Sequence, residues 1–352
     1  MNIARPAAFA LPGDITTLTG GYIYDRRLVE ALRALGHPVE VIALPDSFPT
    51  PDAADMAAAL DRLAAVPGDR PLIVDGLAFG ALDPQGLARV AAPIVAMIHH
   101  PLAQESALPA PLADHLWRTE RANLAMARHV MVPSPHTRDM LVQRYDVTER
   151  RITIVRPGTD RPTVRTAPAA CAPPLILSVG ILHPRKGHDV LIAALSDLAD
   201  LDWQAVIVGN PWDRAHVAQL QAQVAVAGLG PRLRLAGRLP HDDLQQLYRQ
   251  ASLFALATRY EGYGIVFDEA LSHGLPIVST RTGAVPDTVP PEAGLLVAPD
   301  DSRVFAAALR RLLTDTAERA QRAAAAAAAG LCLPSWHDAA RQASDVLTRL
   351  DR

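Results

Sequence analysis

The chain has 352 residues, enough for two domains with separate cores, and its 49% apolar content excludes an intrinsically disordered protein. A net charge of −3 argues against nucleic acid as a main partner, and no stretch approaches the roughly 18 uncharged apolar residues of a membrane span. Two cysteines, Cys171 and Cys332, make no disulfide framework, so a reducing cytoplasm is expected. Peripheral contact with the inner face of a membrane needs only a surface patch and stays open. Oligomeric state is not legible.

Residues 1–12 read as a first strand, because Pro12 and Gly13 break the apolar piece too early for a signal peptide. Residues 15–44 give a Gly-Gly turn, an amphipathic helix and a strand. Ile23, Leu28, Ala31, Leu32 and Leu35 share one helical face, and Gly36 ends the helix. Gly20 and Gly21 at the helix start lack Cβ atoms and could admit a phosphate or acceptor group, although tight turns use glycine anyway. Short apolar runs follow at 71–76, 93–100, 129–134 and 152–158, separated by helical or loop segments. Alternating strands and helices imply a parallel sheet, whose ligands bind beyond the carboxyl ends of the strands. His99 and His100 end one run at that edge, with Pro101 forcing a loop.

Residues 161–174 are rich in Pro and Ala without periodicity and read as a linker. After it the strand pattern restarts at 175–180, 203–209, 233–237, 253–257, 276–280 and 294–299, a second doubly wound sheet. Domains are therefore expected at 1–160 and 175–334, with 335–352 as a last helix capped by Ser335. Residues 180–195 form a strand end, a loop carrying Arg185, Lys186 and Gly187, and an apolar helix. A cation at a helix start opposes the dipole and asks for an anion. Residues 237–251 form a loop and a helix, with His241 or Asp242 as its N-cap. The Asp-Leu-Asp at 200–202 sits at a turn, where Asp is a structural residue rather than a metal ligand. Residues 303–329 read as one helix ending in seven alanines.

The stretch 258–287 organises the chain. A buried strand leads into a loop with Gly262 and Gly264, then a helix of about two turns from Ile265 to His273, then Gly274 and Pro276 before the next strand. The free N–H groups and dipole of that helix suit a phosphate. Glu261 and Glu269 frame the loop with seven residues between them, and a carboxylate can accept from two adjacent sugar hydroxyls at once.

EGYGIVFDEALSHGLPIVST (261–280) resembles the Glu-x7-Glu signature of retaining nucleotide-sugar glycosyltransferases of family 4, which have the GT-B fold. The resemblance is strong over 175–300 and weak over 15–160. It implies two Rossmann-like domains facing a cleft, with the last helix crossing back onto the N-terminal, acceptor-side domain. It implies transfer of a sugar from a nucleotide diphosphate sugar, UDP-linked by expectation, to an unidentified acceptor, with retention and without metal or cofactor. By motif position Glu269 would bind ribose and Glu261 would lie at the donor sugar. Gly262, Tyr263, Gly264, Ile265 and Val266 would present backbone N–H groups to sugar and diphosphate. Gly20 and Gly21 match the family's first Gly-rich loop, Lys186 its phosphate contact, and Arg238 and Leu239 its nucleobase loop. One of His99 and His100 would face the sugar, and His100, deeper in the loop, is favoured. One departure stands out: many members carry Arg where this chain has Ile181, so either Arg185 reaches the phosphate or a contact is missing. A non-catalytic nucleotide-sugar binder and a GT-B epimerase or phosphorylase are the rival readings.

Overall fold

In a computed structural model, which describes residues 4–105, 108–160 and 172–350, the chain divides into two compact units, Met1–Gly158 with Pro334–Arg352, and Thr159–Leu333. Most of the expected linker (161–174), with Cys171, falls outside the described residues. Among the described residues, no helix is long and apolar enough to cross a membrane.

The first unit holds strands β1 (Ala7–Pro12), β2 (Val39–Leu44), β3 (Leu72–Asp75), β4 (Ile94–Met97), β5 (His129–Val132) and β6 (Ile152–Ile154). They pair in parallel in the order β2-β1-β3-β4-β5-β6. The order reverses between β1 and β3, so the loops leaving these two strands diverge and open a crevice at their carboxyl ends. The helix Gly20–Ala34 follows β1 and buries Leu28, Val29 and Leu32. The last helix, Trp336–Arg349, belongs to this unit and starts with a capping box between Ser335 and Asp338. It approaches so closely that a Cβ on Gly158 would lie 2.1 Å from the Trp336 nitrogen.

The second unit holds β7 (Leu175–Val179), β8 (Gln204–Val208), β9 (Leu233–Gly237), β10 (Leu253–Leu256), β11 (Ile277–Thr280) and β12 (Gly294–Val297). Its order, β12-β11-β10-β7-β8-β9, is again parallel, and the reversal falls between β7 and β10. The central strands are covered on both faces. In β10, Leu253 and Ala255 enter one core cluster while Phe254 and Leu256 enter the other. Two-sided burial explains why these strands read as unbroken apolar runs.

Two local expectations are corrected. Residues 303–329 form two helices, Ser302–Thr314 and Thr316–Leu331, because the Asp315 carboxylate accepts the Glu318 N–H and starts a new helix. The helix His241–Gln250 has Pro240 as its N-cap, so neither His241 nor Asp242 serves; Asp242 sits in the first turn, where its charge suits the dipole. The helix after Gly264 ends at Ser272, one residue early, with Gly274 in the left-handed region as expected. The alanine-rich helix packs against it closely enough that a Cβ on Gly330 would lie 2.3 Å from the Leu271 oxygen. Asp200, in the Asp-Leu-Asp turn, is taken up by Arg310 at 2.6 Å.

Candidate active site

In the second unit, the β7 and β10 loops meet at the switch point of the sheet. After β7, a short turn, Pro184–Lys186, is capped by the His183 side chain, which accepts the Arg185 N–H. Gly187 follows at φ 63° and caps the helix His188–Ser196. A Cβ there would sit 1.9 Å from the Ala257 oxygen, so the two loops touch backbone to backbone only because residue 187 is glycine. His188 is fully buried, with Nε2 3.2 Å from the Gly180 oxygen. Burial, aided by the Lys186 charge, pushes it down to about 4, so it is a neutral strut.

The buried Glu261 carboxylate anchors the pair of loops. Lys186 Nζ lies 2.6 Å from its Oε1 and Arg185 Nη1 lies 3.7 Å from its Oε2. Thr258 Oγ1 is 3.0 Å from Oε1. Burial alone would raise this carboxyl, but the two cations outweigh it and hold its pKa below the usual range. Arg185 also donates to the Tyr260 oxygen at 3.0 Å, so it stands inside the cluster. A second cation is thereby present even though position 181 is Ile.

Gly264, at φ 89°, caps the helix Ile265–Ser272, and Ile265 and Val266 begin it, where backbone N–H groups have no acceptor one turn earlier. Gly262 and Tyr263 are buried. The Tyr263 hydroxyl meets the Asp268 carboxylate, so its ring braces the loop. Glu269 is half-buried and accepts at Oε2 from the Tyr248 hydroxyl at 2.8 Å. Burial pushes Glu269 up to about 7; the Tyr248 hydrogen bond opposes this, while Asp268 and Asp160 add repulsion. Tyr248 is fully buried and stacks on His273, ring centroids 4.9 Å apart. Arg238 is exposed, and Leu239 packs on the core that includes Tyr248 and Phe267.

The first unit gathers a second group at its own switch point. Gly20 and Gly21 open the helix after β1, Asp75 ends β3, and His99 follows β4. His99 Nε2 lies 2.9 Å from Asp25 Oδ1 and 3.4 Å from Asp75 Oδ2. A Cβ on Gly21 would meet the His99 ring at 3.4 Å, so glycine lets the helix start lie against the imidazole. Asp25 and Asp75 are buried. One ligand atom from each of the three lies within 4.8 Å of the others, close enough for a shared cation. The 2.9 Å separation is that of a hydrogen bond. Burial raises the Asp25 carboxyl; burial would lower His99, but the Asp25 charge outweighs it and holds the imidazolium up. His100 instead pairs with Glu105 at 3.1 Å, five residues along its own loop.

Asp25, Asp75 and Tyr248 were not found from sequence. Asp25 lies inside the helix after β1 with no motif around it, and Tyr248 lies 21 residues before Glu269 on another helix. Only Asp75 carried a signal, as the last residue before a glycine at the carboxyl end of an apolar run.

Two parallel doubly wound sheets, the first with glycines opening the helix after β1 and the second with glycine-capped helix starts at its switch point, define the GT-B class of protein. Residues 165–329 match the family described as Glycosyl transferases group 1, and residues 78–161 match Glycosyltransferase Family 4. The two matches together support a family 4 type of glycosyltransferase. The D-inositol 3-phosphate glycosyltransferase of Corynebacterium efficiens is 33% identical over 197 residues, 51% of this chain and 46% of the relative. That of Nocardioides sp. is 34% identical, over 59% and 51%. The lipopolysaccharide core mannosyltransferase LpsB of Rhizobium meliloti is 32% identical, over 46% and 47%. The chain thus spans about half the length of the curated relatives it matches. Among solved structures, sucrose-phosphate synthase of Thermosynechococcus elongatus shares the fold with a TM-score of 0.83 at 23% identity, covering 98% of this chain and 99% of that one. Anabaena HepE in complex with UDP shares it at 0.76 and 18%, covering 97% and 99%.

Proposed function

We propose that the chain transfers a sugar from a UDP-linked donor to a hydroxyl acceptor, with retention and without a metal. The observation that carries this is the switch point of the second sheet. Two helix starts, two cations and two carboxylates meet there in the order a nucleotide diphosphate sugar requires. Lys186 and Arg185, with the N–H groups at 188 and at 265–266, receive the diphosphate and stabilise the charge on the leaving group. Preorganised charge of this kind usually supplies more of the rate enhancement than any other single effect. The free Oε1 side of Glu269 receives ribose hydroxyls. Glu261 holds Lys186 in place before the donor arrives and then faces the sugar. In that role Lys186 exchanges one partner for another, so no cation is left buried alone at any stage.

The base rests on HepE, which was solved with UDP and with UDP-glucose. The acceptor class rests on the inositol 3-phosphate relatives, which suggest a polyol or its phosphate. Calorimetry with UDP, GDP and ADP tests the base. Incubation of UDP-hexoses with inositol 3-phosphate, followed by NMR of the product anomer, tests transfer and retention. Release of UDP supports the proposal. Release of a sugar phosphate would point to a phosphorylase, and tight donor binding without turnover to a binding protein.

A further inference from the structure

We propose that Arg259 is a positioning residue for the donor's diphosphate: it straps the turn Pro184–Lys186 to the loop after β10 and cancels the Asp189 charge at the helix start beside that turn. This rests on the nucleotide-sugar reading above. Every residue in the arrangement belongs to the second unit. Arg259 lies on the loop after β10, two residues before Glu261. Its guanidinium spans three anchors. Nη1 and Nη2 lie 3.0 and 2.7 Å from the two carboxylate oxygens of Asp189, Nη1 also donates to the Pro184 oxygen, and Nε lies 2.6 Å from Asp300 Oδ1. The Arg259 backbone N–H donates to the Arg185 oxygen at 2.7 Å, and the same oxygen accepts from Thr258 Oγ1 at 3.1 Å. Side chain and backbone of one residue thus hold two consecutive carbonyls of the turn that carries Lys186.

Charge points the same way. Asp189 is the second residue of the helix His188–Ser196. A carboxylate in a first helical turn suits the dipole, but a diphosphate at the same N–H groups meets it as a like charge. The bidentate guanidinium offsets that repulsion. Burial would raise the Asp189 carboxyl, but Arg259 outweighs it and holds the group below the usual carboxylate range. Stability explains the arrangement poorly. The Asp189 and Asp300 side chains are 40% and 59% exposed, and ion pairs this open contribute little to folding. Asp300 also adopts a left-handed backbone at φ 58°, which a non-glycine residue seldom takes and which recurs at functional sites. Only the planar fork of an arginine serves three acceptors in fixed directions at once; a lysine ammonium does not.

The test is calorimetry with UDP and with uridine, at low and at high salt, on the wild type, Arg259→Met, Arg259→Lys and the double variant Arg259→Met with Asp189→Asn. Arg259→Met is expected to weaken UDP binding about tenfold, and more at low salt, while uridine binding stays within about twofold of the wild type. The double variant, with the stranded carboxylate gone, is expected to bind UDP about threefold tighter than Arg259→Met. A purely structural residue would weaken both ligands alike and gain nothing from the second substitution. Arg259→Lys keeps the charge without the fork, so it should lose less UDP affinity, and it carries the test if Arg259→Met does not fold. UDP affinity at the wild-type level in the folded variant, equal losses for UDP and uridine, or a double variant no tighter than the single would each overturn the inference. Amide exchange at 185–190, without any ligand, should be faster once Arg259 is replaced. If the wild type binds neither UDP nor any nucleotide sugar, the functional reading falls instead, and exchange unmoved by the substitution would still refute the strap.

Discussion

Tyr248→Phe should move the pH dependence of donor binding. Tyr248 gives the Glu269 carboxylate a hydrogen bond at 2.8 Å, against a burial that pushes the group up to about 7. A hydrogen bond to a charged acceptor contributes about 1.5–3 kcal/mol. At about 1.36 kcal/mol per pH unit, its loss raises Glu269 by about 1 to 2 further units. Ribose hydroxyls bind the carboxylate, not the acid, so below the Glu269 pKa each binding event must release a proton. Affinity then weakens about tenfold for each pH unit below the midpoint. The expected midpoint is about 7 in the wild type and above 8 in the variant. The assay is calorimetry from pH 6 to 9 in two buffers of different ionisation enthalpy, which counts the proton. A UDP-hexose is the ligand, because the terminal phosphate of UDP itself titrates near 6. Folding stability runs the other way. The folded chain holds the proton that the unfolded chain has lost, so this contribution is present below the ordinary Glu value and is lost as pH rises through about 7. A flat affinity profile across pH 6–8, or a midpoint unmoved by Tyr248→Phe, would refute the ribose assignment of Glu269.

Lys186→Ala should weaken UDP binding by about 2 kcal/mol and leave uridine binding nearly unchanged, since the lost partner faces the diphosphate; equal losses for both ligands in calorimetry would remove Lys186 from the phosphate site. Gly187→Ala should cost both stability and UDP affinity, because the new Cβ would lie 1.9 Å from the Ala257 oxygen at a φ of 63°; a thermal melt and UDP titration matching wild type would show that the loops can separate. Glu120 is fully buried, accepts the Leu102 N–H at 3.1 Å, and is pushed up to about 8 by burial. Its stabilising contribution is therefore present below the ordinary Glu value and fades as pH rises through about 8, and Glu120→Gln should flatten that part of a urea-unfolding series.

What the amino-acid order determined by itself was mostly local or periodic. Strands covered on both faces need apolar residues at every position, so β7 and β10 stood out as unbroken runs. Helix starts carried glycines at 187 and 264, where left-handed backbone and close approach leave little other choice. The spacing of Glu261 and Glu269 was legible because both lie on one continuous loop and helix. Local signals also misled. The periodicity of 303–329 hid the break at Asp315, because both new helices keep an apolar face, and acidic residues after Pro240 mimicked a cap.

The partners of each candidate residue were settled only by tertiary structure. Lys186 and Glu261 are 75 residues apart, and Asp25 and His99 are 74. A parallel sheet brings such loops together only where its strand order reverses, and strand order depends on the whole set of crossovers, not on any one segment. For the same reason, position along the loop favoured His100, whereas the frame of buried carboxylates lies around His99.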